Sequence, residues 1–79
     1  MYKHTPHTLD QLLIGQCATV DLVQGDDAVA QRLAEMGMVA GARVAMIRCA
    51  PLGDPLEIEL DGYHLSLRRT EAAKVLIHL

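Results

Sequence analysis

Residues 56–67 read LEIELDGYHLSL, and their alternation decides the fold. Asp61–Gly62 between two runs of period two marks a two-residue hairpin turn of type I′, whose central residues need positive φ. With the turn fixed there, Leu60 faces Tyr63, Ile58 faces Leu65 and Leu56 faces Leu67 on one side. Glu59 faces His64 and Glu57 faces Ser66 on the other. Every pair agrees in polarity. A slip of one residue would reverse every face, so the pattern predicts a single register.

Working outward from the hairpin, RTEAAK (69–74) predicts one helical turn, and VLIHL (75–79) a last strand with Val75, Ile77 and Leu79 on one side. Upstream, ARVAMIRC (42–49) predicts a strand with Val44 and Met46 on one face and Ala45 and Ile47 on the other. Both faces are fairly apolar, as in a strand inside a sheet. AVAQRLAEM (28–36) predicts a helix capped by Asp26 or Asp27, with Val29, Leu33 and Met36 on its apolar face and Gly37 closing it. QCATVDLV (16–23) alternates Ala18, Val20 and Leu22 against Cys17, Thr19 and Asp21 and predicts another strand. A short helix is expected before it, with Thr8 and Gln11 as a capping box and Leu9, Leu12 and Leu13 as its apolar stripe. Residues 1–7 read as a flexible N-terminal tail, and 8–79 as one domain. Five short strands with glycines at their corners suggest a small closed barrel, which leaves no bare sheet edge.

Composition narrows the function. The chain has 79 residues, 51% of them hydrophobic, with no Trp, no Phe and two Tyr, so the core must be aliphatic. A domain this small buries only about 60% of its unfolded surface, which leaves little room for a deep cleft. Net charge is −3, and no basic cluster exceeds Arg68–Arg69. Nucleic-acid binding needs phosphate-neutralising cations and stacking aromatics, and both are scarce. The polar start MYKHTPHTLD does not read as a signal peptide, and no apolar run approaches the ~20 residues of a membrane span. A cytoplasmic domain with reduced Cys17 and Cys49 is the expectation.

Between the central strand and the hairpin lies PLGDP (51–55), which sets Leu52 among turn formers. Pro51 and Pro55 restrict the backbone on both sides, so ordering Leu52 costs less entropy than in a flexible tip. Three readings stand open: burial against the domain's own helix, display to a partner, and an accident of composition. Met38, just past the helix end, is expected to extend a displayed patch.

QRLAEMGMVAGARV followed by APLGDPLEIELDGYHLSLRRTEAAKV resembles the FeoA family, the small partner of the bacterial ferrous iron transporter. Arg32–Leu33, Met36–Gly37, Gly41, the loop 51–55, Leu67–Arg68 and Glu71–Ala72 carry the likeness in order and spacing. The resemblance implies an SH3-like barrel and a FeoB-type permease, with its cytosolic GTP-binding domain, as partner. It makes the chain a non-enzymatic regulator of iron uptake that uses no cofactor.

Chemical motifs are sparse. The chain has no G-x-x-x-x-G-K-[ST] sequence for nucleotide phosphates. Glu57 and Glu59 belong to a wet strand face, not to the sheltered cleft that paired catalytic carboxylates need. His4 and His7 fall in the tail, and Glu59 with His64 supplies two ligands without a third, so no metal site is assigned. A trans-acting arginine finger is the other reading that the family setting suggests, with Arg32, Arg48, Arg68 and Arg69 as candidates. Arg68 and Arg69, at a strand end, are the best placed. Partner-binding candidates are therefore Met38, Leu52, Arg68 and Arg69. A divalent-metal sensor and a GTPase activator remain alternatives to a docking module.

Overall fold

The structure, a computed structural model, describes residues 5–79. Five strands form one antiparallel sheet: β1 (Cys17–Val23), β2 (Arg43–Cys49), β3 (Leu56–Leu60), β4 (Tyr63–Leu67) and β5 (Val75–His78). Helix α1 (Ala28–Glu35) lies between β1 and β2, and α2 (Arg69–Ala72) between β4 and β5. Single 3₁₀ turns occupy Leu9–Gln11 and Pro51–Gly53. The sheet order is β4-β3-β2-β1-β5. This is the expected small mainly β, SH3-like domain, with one correction: β4 and β5 are not paired, so the sheet is not closed. The outer edge of β5 is covered instead by the N-terminal stretch. Thr8 bridges Leu76, and the Ile77 N–H donates to His7 O (3.0 Å). Pro6 is buried beside them, so the chain is docked from within the stretch read as a tail; residues 1–4, His4 included, lie outside the described residues.

The hairpin stands in the expected register at all five positions. Asp61 (φ 48°) and Gly62 (φ 92°) both take the left-handed backbone that the turn requires. Leu56, Ile58, Leu60 and Leu67 are buried. Tyr63 and Leu65 face the same way but are exposed and half-buried, because β4 is the edge strand.

Two β-bulges change the expected faces. In β1 the register shifts between Val20 and Leu22, which turns Leu22 outward and brings Val23 against the core. In β2 it shifts between Met46 and Arg48, which leaves Ile47 as the extra residue and returns Cys49 to the inner side. A bulge adds one residue against the partner strand and so reverses the alternation beyond it. The expected N-terminal helix is a single 3₁₀ turn in which the capping box does not form. The Thr8 hydroxyl bonds Asp10, and Gln11 Oε1 accepts from the His7 N–H. Leu9 and Leu12 are buried as expected, whereas Leu13 is exposed.

Helix α1 starts on Asp27, whose carboxylate accepts from the Ala30 N–H (3.0 Å). Its buried side is Val29, Ala30 and Leu33, and Met36 is turned outward. The helix ends in a Schellman motif. Gly37 (φ 106°) donates to Ala34 O and Met38 donates to Leu33 O. That geometry folds Met38 back into the core at 1% exposure. Met38 therefore leaves the set of displayed residues.

Asp27 also accepts from Lys74 Nζ (2.8 Å), tying α1 to the start of β5. The Lys74 bond, then the Ala30 N–H, holds its carboxyl below the ordinary value. A depressed carboxylate pKa contributes stability above the unfolded value and loses it as pH falls through the folded value. Asp27→Asn keeps an acceptor for Ala30 but cannot titrate. Between about pH 5 and pH 2 its thermal midpoint should fall less steeply than that of the parent, by a small margin because the pair is exposed and screened. Thermal circular dichroism against pH checks this, and parallel curves would contradict it.

Candidate functional site

The loop between β2 and β3 presents Leu52 with its side chain fully exposed (105%) and its backbone left-handed (φ 73°, ψ 5°). Leucine is seldom found there, because its Cβ crowds the backbone. The burial reading of this residue is thereby excluded. Gly53 follows with φ 86°, and the Asp54–Pro55 peptide bond is cis.

The loop is held on every side. The Gly53 N–H donates to Ala50 O (2.8 Å), and the Ala50 N–H donates to Pro55 O (2.9 Å). The Arg69 guanidinium supplies the rest. Nε donates to Gly53 O (2.5 Å), Nη1 reaches Asp10 O (3.4 Å) and Nη2 reaches Cys49 Sγ (3.7 Å). The Arg69 N–H also donates to Asp54 Oδ1 (3.1 Å). One side chain thus ties the tip of the loop to β2 and to the N-terminal 3₁₀ turn. The chain after that turn lies beside the β2 bulge, since the Gly15 N–H donates to Met46 O (2.8 Å) and the Met46 N–H to Gln16 O (3.0 Å). Leu13, Ile14, Ile47 and Leu52, all exposed, are therefore carried by segments that meet at one end of the sheet. The sequence pointed to Leu52 alone. In the sequence Leu13 belongs to the apolar stripe of a short helix and Ile47 to a regular strand, and neither the 3₁₀ turn nor the bulge has a readable signal.

Arg69→Ala should leave the sheet intact while loosening the loop. Amide exchange at Gly53 is expected to quicken roughly threefold to tenfold, with the β3 amides unchanged. Unaltered exchange at Gly53 would show that the guanidinium does not hold the turn.

The other arginines divide sharply. Arg32 pairs with Glu71, and Arg48 with Glu57. The Arg48 bond holds the Glu57 carboxyl below its usual range, so this acid is ionised at neutral pH and unsuited to donating a proton. Glu71 also accepts from the Arg68 N–H (2.9 Å), so its carboxylate joins the start of α2 to α1. The Arg68 side chain, by contrast, makes no hydrogen bond or ion pair among the described residues. It flanks an open groove of about 310 Å³ lined also by Arg32, Pro55, Ser66, Leu67 and Glu71.

Glu59 and His64 do meet across the hairpin, at 3.0 Å between Oε2 and Nε2, on the exposed face. His78 pairs with Asp21 at the far side of the sheet. Among the described residues no group of three His, Cys, Asp or Glu side chains gathers. No buried polar or charged residue is found among them either.

The domain is a small SH3-like sheet carrying a clamped, apolar-tipped loop. The FeoA domain family matches residues 7–79, and the chain belongs to that family. It is similar to the FeoA protein of Chlorobium tepidum, at 40% identity with a TM-score of 0.84, over 91% of this chain and 69% of that one. The zinc-complexed FeoA of Stenotrophomonas maltophilia, described as a prokaryotic SH3 domain protein, shares 36% identity with a TM-score of 0.81, over 91% of this chain and 89% of that one. A Porphyromonas gingivalis protein, a Fe(2+) transport protein A/Fe(2+) transporter FeoB fusion, is 38% identical over 71 residues. That match takes in 90% of this chain and spans 8% of the length of the fusion protein. The FeoA family is associated with ferrous iron transport. No helix among the described residues is long and apolar enough to cross a membrane.

Proposed function

We propose that this chain is a non-catalytic accessory module that docks on the cytosolic face of a FeoB-type ferrous iron permease, with Leu52 as its apolar anchor. The observation that carries the reading is a fully exposed leucine held in left-handed backbone by a loop of four hydrogen bonds. Strain of this kind persists where the surroundings over-determine it, and such places are commonly functional. A preorganised apolar side chain loses little entropy on binding, and that is the property of an interface hot spot. The fusion of the two components in the Porphyromonas gingivalis relative supports their working side by side.

The arginine-finger alternative retains Arg68 and loses Arg69, whose guanidinium is engaged within the loop clamp. Arg69 acts in the docking reading as the residue that positions Leu52. The metal-sensor alternative has only two separate His–carboxylate pairs, Glu59–His64 and Asp21–His78, to build on among the described residues.

The test is capture of the permease from detergent-solubilised host membranes on the immobilised chain. The parent chain is expected to retain it and Leu52→Asp to release it, with identical circular dichroism. Equal retention by both would end this reading.

A further inference from the structure

The two sheet edges are treated differently. His7 and Thr8 cover β5, whereas no described segment bonds to the outer edge of β4. In the hairpin the pairs Leu60–Tyr63, Ile58–Leu65 and Leu56–Leu67 exchange backbone bonds, since residues flanking a two-residue turn form a bonded pair and the pattern alternates from there. The Asp61 N–H accordingly points the other way and reaches Arg43 O on β2 (2.9 Å). The N–H and C=O groups of His64 and Ser66 therefore face outward. β1 and β2 are broken by bulges, but β4 runs without one and contains neither Lys nor Pro. A regular, uncharged edge is a template for another strand.

The geometry points to a second copy of this chain as the occupant of that edge, joined β4 to β4 in antiparallel register about a two-fold axis at Leu65. This register places His64 opposite Ser66 of the second copy, so the outward backbone groups of both strands bond each other. It agrees in polarity at every position: Leu65 meets Leu65 and Tyr63 meets Leu67 on the inner face, with His64 against Ser66 on the outer. The same agreement fixes the register inside the hairpin. The register also brings the hairpin tip of each copy to the groove at the end of the other's β4. There the Arg68 side chain, without a partner among the described residues, stands beside Arg32, which is 56% exposed. The arriving tip carries Asp61, one of whose carboxylate oxygens accepts from the Arg43 N–H (3.0 Å) while the other has no partner among the described residues. Two symmetric Arg68–Asp61 pairs result, an isologous interface of the kind that closes. Tyr63, 76% exposed in the single chain, then lies against Leu67 in the groove. The assembly is one ten-stranded sheet, and both Leu52 loops remain outside the junction. It stands independently of the docking reading.

Sedimentation velocity from micromolar to millimolar concentration tests it. The parent chain is expected to dimerise. Ser66→Pro removes an outward N–H without touching the internal ladder, a position where an edge strand tolerates proline. Two lost bonds per dimer should weaken association roughly thirtyfold. Arg68→Ala and Asp61→Asn should each weaken it about twofold to tenfold, and the double variant little further. Amide exchange on the parent chain gives a reading that needs no variant: His64 and Ser66 should slow as concentration rises, and the β2 amides should not. A monomer throughout the range overturns the proposal, as does a dimer indifferent to Ser66→Pro.

Discussion

Met38→Ala is expected to cost about 2–5 kcal/mol, the range for truncating a fully buried aliphatic side chain and leaving a cavity. A 79-residue domain has roughly 4–12 kcal/mol to lose, so the variant should melt some 10–25 °C below the parent. Met36→Ala, two residues earlier, should move stability by no more than about 0.5 kcal/mol. The contrast has a single physical cause. The left-handed Gly37 reverses the chain, so the residue after it is delivered to the inside while Met36, at the helix cap, stays out. Thermal unfolding of the two variants side by side measures it. Equal and small losses would show that Met38 is not packed against Leu33 and the sheet.

Burial of Met38 was legible in principle. A glycine at the position after the helix cap predicts a hydrophobic contact between the next residue and the last turn, here Met38 with Leu33. Reading Gly37 only as a helix stop missed its second consequence. The bulges were not legible. Asp21 and Ile47 sit in runs whose alternation is regular on paper, and the extra residue shows only when the partner strand supplies a register to compare with. The same holds for the sheet edges. Five alternating segments suggest closure, but whether the edge strands β4 and β5 pair is decided by tertiary contacts, and it is the N-terminal stretch that takes the outer edge of β5. The hairpin is the opposite case, because Asp61–Gly62 and ten flanking residues determine turn, register and faces locally.

The functional loop falls between these cases. Proline on both sides announced a rigid turn, and a leucine inside it raised the question of display. The answer needed long-range contacts: Arg69 is 16 residues from Gly53 and 59 from Asp10. Nothing in RRTEAAK distinguishes an arginine that clamps from its neighbour, which makes no such contact. Paired arginines at a strand end thus read alike in sequence and do different work in the fold. Arg69 closes the chain's own loop, and Arg68 extends a charge outward.

Leu52→Gly should separate stability from binding at this loop. A left-handed backbone costs an L-residue roughly 1–2 kcal/mol, which glycine does not incur. Glycine's greater freedom in the unfolded chain returns about 0.5–1 kcal/mol of that. The variant should therefore melt at or slightly above the parent temperature. The side chain is fully exposed, so no internal contact is lost to offset the gain. Capture of the permease should fall at least tenfold, the loss typical of truncating a central apolar anchor. A neutral or more stable protein that binds worse would mean that leucine occupies position 52 for its side chain and against its backbone, which is the content of the docking reading. A variant that loses both together would place Leu52 in the fold's own packing, and one that loses neither would return it to the accidents of composition.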